Sequence, residues 1–264
     1  MSSLASAATA LPESRFRSAV HYLPTVDSTN RVARDLGRAG EPDGTVVVAD
    51  EQTEGRGRRR RRWVSPAGAG LYMSLLLRPQ FAATESGTAV QLVAGIAVAE
   101  ALEPFLPGAP TLQWPNDCFV ADRKIAGVLV EAETTGQEFD FLVCGMGLNV
   151  NHEAGDFPVE LRAAATSIRL EIGHRVSRLE VLGALLASFD AWESAWRDHG
   201  LAPICARWLE LSPASSGGQV SVQTEAGVVA GVADGLTDVG HLRVRTGDET
   251  LEISVGEVIK LRMT

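Results

Sequence analysis

The sequence predicts an α+β protein in which a central mixed β-sheet with packed helices is followed by a small β-barrel of the SH3 type. Its 264 residues allow one large domain and one small one. Up to residue 212, β-type runs alternate with helical segments. The composition changes at the Pro-Ala-Ser-Ser-Gly-Gly stretch 213–218, which we predict to be a linker, and about five short β-type runs fill the rest. We therefore expect a flexible tail (1–20), a large domain (21–212) and a small barrel domain (213–264).

The predicted strands are short apolar or β-branched runs bounded by turn-forming residues. Residues 51–70 lack periodicity and are rich in glycine and arginine, which predicts a long loop. A loop of this length inside a compact domain is usually functional or mobile. The strands of the large domain are predicted at 45–49, 71–77, 111–114, 125–132 and 139–150, and those of the barrel at 220–224, 228–233, 242–245, 251–255 and 258–261.

Helices are predicted on both sides of these strands. The first follows Asp27, and either Asp27 or Ser28 can cap it. The run at 87–102 is apolar nearly all round, which fits a helix buried against the sheet. A long helix begins with the capping box at Ser177, ends at Gly200, and is followed by a shorter one.

The composition excludes several classes of protein. With 24 Lys and Arg against 33 Asp and Glu, the net charge is −9, which argues against a general nucleic-acid binder. No run approaches the ~18 consecutive apolar residues of a membrane span, and the first residues lack the basic start of a signal peptide. The three widely spaced cysteines suit reduced thiols in a cytoplasmic protein.

Common cofactor motifs are also missing from the sequence. Neither of the two lysines follows a glycine, so there is no Gly-Lys-Ser/Thr phosphate loop. No two histidines stand three or four apart and no Cys-x-x-Cys occurs, so zinc is not expected. Gly145-Met-Gly147 follows an apolar run, but Val150 stands where a dinucleotide motif needs its third glycine, so NAD is not expected either.

The loop's main feature is a cluster of six arginines within the seven positions 56–62, broken only by Gly57. Neighbouring guanidinium groups repel by roughly 1 kcal/mol per pair in water, so we expect the loop to be mobile until an anion such as phosphate orders it. Gly55 and Gly57 allow close backbone approach, and Trp63 offers a face for stacking a base. A solvated basic loop or a nucleic-acid patch is the alternative interpretation.

Several segments, in order and spacing, resemble the biotin–protein ligase family from about residue 22 to the C-terminus. Two positions depart from the family pattern: Arg60 stands where glycine is usual, and Gln113 where lysine is common. The segments are Ser28-Thr29-Asn30, Gln52-x-x-Gly55-Arg56-Gly57-Arg58, Trp63, Trp114-Pro115-Asn116-Asp117, Arg123-Lys124-Ile125-Ala126-Gly127 and Gly145-Met-Gly147-Leu-Asn149-Val-Asn151.

The resemblance implies a class II synthetase-like catalytic domain and a reaction in two steps. Biotin attacks ATP, with Mg²⁺ as activator, to give biotinyl-5′-AMP and pyrophosphate, and a lysine of a biotin carboxyl carrier protein then displaces AMP. The residues before the matched region are too few for a DNA-binding domain, so the resemblance implies a ligase that is not a repressor. No DNA or membrane partner is expected, and a homodimer is left open.

The resemblance also implies roles for individual residues. The chemistry falls to Lys124 and Arg58, and Asp117 is placed beside the Mg²⁺. Biotin binding is implied for Ser28, Thr29, Asn30, Gln52, Arg56, Gly57, Arg58, Lys124 and Gly127, and nucleotide binding for Arg56, Arg58, Trp63, Asn116, Lys124 and Asn149.

Each of these residues also has a plain structural interpretation. Ser28 could be a helix cap, Gly127 a strand glycine, and Asn116 and Asp117 turn formers. At the level of function, two alternatives stay open. A lipoate or octanoyl ligase or transferase has a related fold, and a nucleic-acid-binding protein would use the Arg56–Arg62 run.

Overall fold

In a computed structural model, which describes residues 4–7, 15–16, 19–78, 83–135 and 138–262, a seven-stranded sheet forms the centre of the protein. The strand order is β1-β2-β3-β7-β6-β5-β4; β1 and β2 are parallel and all other neighbours antiparallel. The predicted mixed sheet is thus confirmed. Its strands are β1 Val20–Val26, β2 Thr45–Gln52, β3 Leu71–Leu77, β4 Thr111–Gln113, β5 Asp117–Val120, β6 Arg123–Thr135 and β7 Glu138–Leu148.

Helices cover the sheet, and the long apolar helix α2 packs against β6 and β7. Its stretch Gly87–Phe105, with a mean hydropathy of 1.3, could cross a membrane by length and composition, but 67% of it is buried inside the protein, as in a core helix. As predicted, Ser177 caps α4 by accepting from the Glu180 amide (3.3 Å), and Gly200 ends it. The helices are α1 Thr29–Arg38, α2 Ala83–Leu102, α3 Ile168–Ile172, α4 Arg178–His199 and α5 Ala202–Leu211.

The C-terminal part forms a separate five-stranded antiparallel sheet, as predicted for the small barrel. Its strand order is β11-β10-β9-β8-β12. The stretch predicted as a linker is not one, because a 3₁₀ turn at Pro213–Ser215 leads directly into the first strand. The exact limits of the two domains stay a prediction. The strands are β8 Ser216–Gln223, β9 Val228–Leu236, β10 Leu242–Thr246, β11 Glu249–Ile253 and β12 Glu257–Arg262.

Hydrogen bonds fasten the barrel to the β4–β5 end of the large sheet. The buried Trp114 indole donates to the Gly240 carbonyl (3.3 Å). Gln113, which stands where the resembled family commonly has lysine, donates from Nε2 to the Val258 carbonyl on β12 (3.1 Å). These contacts place the start of β12 beside the loop that connects β2 with β3.

The N-terminal segment was predicted to be a flexible tail, and the described part of it is instead packed. Leu4, Ala7 and Phe16 are fully buried, and the Phe16 ring meets Phe189 of α4 edge to face, 6.0 Å between centroids. The guanidinium of Arg15 pairs with carboxylates of three residues: Asp43, Asp190 and Glu193. Isolated apolar residues in a small, polar run show no periodicity, so the sequence pattern did not reveal this docking or strand β1.

We expect Phe16→Ala to lower the free energy of unfolding by about 3 to 5 kcal/mol, because it removes a buried ring and leaves a cavity. Urea denaturation followed by circular dichroism measures this. Val255→Ala, at a side chain that is 62% exposed, is the control and should leave stability unchanged. Equal stability of Phe16→Ala and wild type would restore the flexible-tail prediction.

Candidate functional site

A cavity of about 240 Å³ opens between the N-terminus of α1, the loop after β2, and strands β6 and β7. This is just below the ~300–1,000 Å³ usual for small-molecule sites. Apolar side chains of Met73, Leu129, Met146 and Phe157 contribute to its wall. Every site residue predicted from the sequence lines it except Asp117: Ser28, Thr29, Asn30, Gln52, Arg56, Gly57, Arg58, Trp63, Asn116, Lys124, Gly127 and Asn149.

Ser28 precedes α1 and is almost completely buried. It occupies the cap position with extended backbone, but its side chain makes no capping hydrogen bond. The capping role that the sequence allowed for this hydroxyl is therefore wrong. Its position in the cavity lining leaves the hydroxyl to face a ligand.

Gln52, the last residue of β2, is held in one orientation by its neighbours. Its Oε1 accepts from the Thr29 amide (2.9 Å) and lies 3.1 Å from Thr29 Oγ1. Its Nε2 donates to Ser65 Oγ (3.0 Å), which in turn lies 3.1 Å from the Trp63 carbonyl. Because Nε2 carries two hydrogens, one is left for a ligand acceptor.

Asn30 is buried deeper, at the first turn of α1. Its Nδ2 donates to Glu131 Oε2 (2.8 Å), and its Oδ1 lies 2.7 Å from the fully buried Ser74 Oγ. Glycine at 145 makes this possible, since a Cβ there would stand 2.1 Å from Asn30 Oδ1. In the sequence, Gly145 stands in the predicted strand 139–150 and in one of the segments that resemble the ligase family, but no packing role was predicted for it. The structure shows that it makes room for Asn30.

Trp63 forms the middle of the cavity wall and lies over a pair of glycines. Gly127 and Gly147 are opposite each other on β6 and β7. A Cβ on Gly147 would stand 2.5 Å from Trp63 Nε1, and one on Gly127 would stand 3.4 Å from the indole ring. The ammonium of Lys124 lies 5.5 Å from the ring centroid, within cation–π range.

Lys124 is the second residue of β6 and is held through its backbone as well as its side chain. Its amide donates to the Ala164 carbonyl (2.8 Å), and its carbonyl accepts from the Thr166 amide (2.9 Å). The side chain is 30% exposed, and its Nζ lies 2.6 Å from Asp117 Oδ1. Asp117 is thus placed behind the cavity, as the partner of Lys124.

The buried Asn149 fixes the same region. Its Nδ2 donates to the Thr166 carbonyl (2.9 Å), and its amide donates to the Ile125 carbonyl (2.8 Å). Asn149 therefore links the end of β7 to the strand that carries Lys124. A nucleotide-binding role for it stays a prediction.

The loop segment with the six arginines, residues 56–62, which we call the arginine loop, is folded as a tight turn. The Gly57 amide donates to the Arg61 carbonyl (2.7 Å), and the Trp63 amide donates to the Gly55 carbonyl (2.9 Å). Arg59 and Arg60 both have left-handed backbone, with φ of +53° and +60°. Glycine reaches this conformation without strain, which explains why glycine would suit position 60; this chain accepts the small cost of an arginine there.

Contacts with the barrel offset the repulsion expected within the loop. Arg58 Nη1 donates to the Gly256 carbonyl (2.9 Å) and to Asn116 Oδ1 (3.3 Å). Burial lowers the pKa of Arg58 from its ordinary value and Asp117 and Glu257 oppose this shift; the guanidinium stays protonated. Glu257 also pairs with the guanidinium groups of Arg59 and Arg61. The sequence had suggested only an external anion for this purpose.

A buried histidine supports the wall of the cavity. His152 stacks on the ring of Phe157, with 5.1 Å between centroids, and its Nε2 lies 3.2 Å from the Tyr72 hydroxyl. Burial lowers the pKa of His152 to about 4, so the ring is neutral at pH 7. Removal from water, and not the contact with Phe157, is what disfavours the charged ring.

Sequence reasoning missed some residues that shape the site. Glu131 and Ser74 hold Asn30, Glu257 holds the arginine loop, and Phe157 closes one wall. A signal existed only for Glu131, a carboxylate on an otherwise apolar strand that follows the matched glycine motif.

No cluster of three or more His, Cys, Asp or Glu side chains that could hold a metal occurs among the residues that the structure describes. All three cysteines are unpaired, and burial raises the pKa of the Cys118 thiol to about 12 and that of Cys205 to about 11. Their free state agrees with the expectation of reduced thiols.

The chain matches two family descriptions: the biotin/lipoate A/B protein ligase family over residues 22–149, and the biotin protein ligase C-terminal domain over residues 215–261. A biotin–[acetyl-CoA-carboxylase] ligase of Paracoccus denitrificans is 35% identical over 84% of this chain and 92% of that relative. The bifunctional ligase/repressor BirA of Bacillus spizizenii is 32% identical over 90% of this chain and 72% of that relative.

Solved structures agree with these matches. A biotin protein ligase from Aquifex aeolicus in complex with biotin and ATP superposes with a TM-score of 0.79 and 32% identity. The match covers 94% of this chain and all of the other.

We expect His152 to make the protein less stable as the pH falls from about 6.5 toward 4, because in this range the unfolded chain binds a proton that the folded protein excludes. Relative to His152→Gln, which keeps a partner for Tyr72, wild type should lose about 2 kcal/mol of unfolding free energy between pH 7 and pH 5. Urea denaturation at both pH values measures the difference. Parallel losses in the two proteins would show that His152 is not protonated on unfolding.

Proposed function

Because this chain belongs to the biotin protein ligase family, we propose that it activates biotin with ATP and transfers it to a lysine of a biotin carboxyl carrier protein. One observation carries the proposal: a single cavity joins an apolar wall and oriented polar groups to a cluster of cations. A bicyclic vitamin with a cyclic urea at one end and a carboxylate at the other needs both kinds of surface.

The first step joins two anions. The biotin carboxylate oxygen attacks the α-phosphorus of ATP, the bond to the β-phosphate oxygen breaks, and pyrophosphate leaves with the electron pair. Positive charge and alignment must therefore come from the protein. Lys124 can reach both reacting groups, since its ammonium lies above Trp63 at the wall shared by the apolar and cationic parts of the cavity.

The urea ring fits the polar end of the cavity. Thr29 and Gln52 adjoin each other there, and Gln52 keeps one amide hydrogen for a carbonyl acceptor. Ser28 contributes a hydroxyl that is not used in capping. Apolar walls with a few oriented polar groups are the usual composition of a vitamin pocket.

The triphosphate fits the cationic end. Arg56 and Arg58 are placed to bind phosphate oxygens, and Asn116 orients Arg58 through its Oδ1. Asn149 and Trp63 complete this side of the lining, where Trp63 can contact the base or the acyl chain. The exposed guanidinium of Arg56 can move toward a ligand without breaking a buried contact.

Magnesium is implied by the ATP chemistry, and the residues present fit a phosphate-borne ion. Mg²⁺ in nucleotide sites usually takes one or two carboxylates, with phosphate and water as its other ligands. Asp117 lies behind the cavity lining, 2.6 Å from Lys124 Nζ, so its carboxylate would border the ion only once Lys124 has turned toward the ligand. When bound, the ion neutralises phosphate charge; the protein positions the reactants.

In the second step the neutral amine of the carrier lysine attacks the acyl carbonyl of biotinyl-5′-AMP. An amide bond forms, the bond from the acyl carbon to the phosphate oxygen breaks, AMP leaves with the electron pair, and the nitrogen releases one proton to solvent. Water would destroy this mixed anhydride, so the arginine loop has a second use as a cover over the intermediate. A carrier protein free in the cytoplasm is the expected partner.

The lipoate alternative is disfavoured by the same polar groups, because a dithiolane ring offers neither a hydrogen-bond donor for Thr29 nor an oxygen acceptor for the free N–H of Gln52. The nucleic-acid alternative is disfavoured because Arg58, Arg59 and Arg61 are engaged with the barrel.

ATP–pyrophosphate exchange with the purified chain tests the proposal. Exchange should depend on biotin and Mg²⁺, and lipoate should not replace biotin. Exchange with lipoate alone would favour the alternative.

We expect Lys124→Ala to fold normally and to form biotinyl-5′-AMP about 100- to 1,000-fold more slowly, because it removes the cation closest to the reacting oxygens. Pyrophosphate release in a single turnover measures this. The control, Arg38→Ala, removes a surface cation that is 59% exposed and should react at the wild-type rate. A near-normal rate in Lys124→Ala would exclude the lysine from the chemistry.

We also expect biotin and ATP together to protect residues 56–62 from trypsin, since phosphate oxygens would bind the exposed arginines and keep the folded loop against the cavity. Cleavage after Arg175, outside the cavity lining, serves as the internal control. Mass mapping of timed digests with and without ligands gives the result. Unchanged cleavage within the loop would contradict its use as a cover.

A further inference from the structure

We infer that Glu131 is a positioning residue that makes Thr29 a hydrogen-bond acceptor toward the cavity. It acts through a chain of side chains, Glu131–Asn30–Ser74–Thr29, whose hydrogens all point away from the ligand. The inference deepens the proposed function and rests on it, because the group that would donate to this acceptor is the urea N–H of bound biotin.

The first link fixes the amide of Asn30. Its nitrogen lies 2.8 Å from Glu131 Oε2 and 3.4 Å from the Leu129 carbonyl, and both of these oxygens only accept. The amide NH₂ group must therefore face them, and Oδ1 must face Ser74. Arg34 Nη2 lies 3.0 Å from the other carboxylate oxygen, Oε1, and so holds Glu131 in this orientation.

The second link follows from the single hydrogen of a hydroxyl group. Ser74 Oγ lies 2.7 Å from Asn30 Oδ1 and 2.8 Å from Thr29 Oγ1. Because Asn30 Oδ1 can only accept, Ser74 must donate to it. If Ser74 donated to Thr29 instead, its oxygen and Asn30 Oδ1 would face each other with no hydrogen between them. Because Ser74 is fully buried, no water could satisfy these two oxygens.

The third link determines what the ligand meets. Ser74 already donates its one hydroxyl hydrogen to Asn30, so Thr29 must donate to Ser74 Oγ. Gln52 Oε1 also lies within reach of this hydroxyl, at 3.1 Å, but the shorter 2.8 Å contact between Thr29 Oγ1 and Ser74 Oγ would hold no hydrogen if Thr29 donated to Gln52. Thr29 Oγ1 consequently offers lone pairs to the cavity, while Gln52 beside it keeps an N–H to donate.

An acceptor next to a donor matches the N–H and C=O of a cyclic urea. A ligand without a donor at this point, such as a dithiolane, leaves the Thr29 oxygen desolvated and unpaired, which is unfavourable. Glu131 thus contributes to choosing biotin over lipoate without touching either. Gly145 leaves room for this series of hydrogen bonds, since any side chain at position 145 would displace Asn30.

Glu131→Gln tests the donor-to-acceptor direction of the hydrogen bonds that link residue 131 to Thr29. Arg34 can only donate, so it should turn the new amide oxygen toward itself and the new NH₂ toward Asn30. Asn30 must then present its oxygen to residue 131, and the directions of Ser74 and Thr29 are disturbed. We expect biotin affinity by calorimetry to fall about 10- to 100-fold, and the KM for biotin to rise while the KM for ATP stays constant.

Two comparisons distinguish a change in hydrogen-bond direction from a general loss of structure at the site. Glu133→Gln is the matched control, because Glu133 also pairs with Arg34, at 3.4 Å, on the same strand, and it should bind biotin as wild type does. Asn30→Asp places two carboxylates together and should bind poorly. In Asn30→Asp with Glu131→Gln, the new amide at position 131 donates to the new carboxylate at position 30, which still accepts from Ser74 as Asn30 does in wild type. This double variant should bind biotin at least tenfold more tightly than Asn30→Asp alone.

The outcomes are distinguishable. Biotin binding by Glu131→Gln within twofold of wild type, or a double variant no better than Asn30→Asp alone, would overturn this inference and leave the proposed function standing. A wild-type chain that binds no biotin would overturn both.

Discussion

The site depends on positive charge that is concentrated beside a half-buried cavity and must be held there before any ligand arrives. Lys124 is held by one carboxylate, that of Asp117, and Arg58 by a backbone carbonyl of the barrel. The Lys124–Asp117 ion pair is partly exposed, and pairs of this kind contribute only about 0–1 kcal/mol. Phosphate or carboxylate groups of a ligand can therefore replace these partners without a large penalty.

This arrangement gives the barrel a purpose in the chemistry. Its strand β12 begins with Glu257, which pairs with the arginine loop, and the preceding Gly256 carbonyl accepts from Arg58. Trp114 and Gln113 fasten the barrel to the edge of the central sheet. The loop thus folds against two domains at once, and its position relative to Lys124 depends on how they are joined.

Glycines in the central sheet leave space that side chains from other parts of the protein occupy. Residues two apart on a strand share a face, and Gly145 and Gly147 on β7 leave room for Asn30 and Trp63. With Gly127 opposite Gly147, the sheet offers a flat surface on which the Trp63 indole rests. In this chain, the glycines that suggest a phosphate-binding loop serve instead to pack side chains within a strand.

The sequence predicted most of the secondary structure because buried strands and the apolar helix carry clear periodicity. Motif spacing likewise brought Thr29, Gln52 and Lys124 to one cavity. Contacts through backbone atoms could not be foreseen, since the Gly256 carbonyl that binds Arg58 has no signature in its own residue type. The docking of Phe16 was missed because a single aromatic residue in a polar run has no pattern; only the fold shows the Phe189 ring that covers it.

The central claim is that one cavity holds biotin and the α-phosphate of ATP within bonding reach of each other. The most direct measurement is mass spectrometry of the ligand that stays with the purified chain after incubation with biotin, ATP and Mg²⁺ in the absence of a carrier protein. Biotinyl-5′-AMP should be retained at close to one molecule per chain. Retention of intact biotin and ATP, with no acyl-adenylate formed, would contradict it.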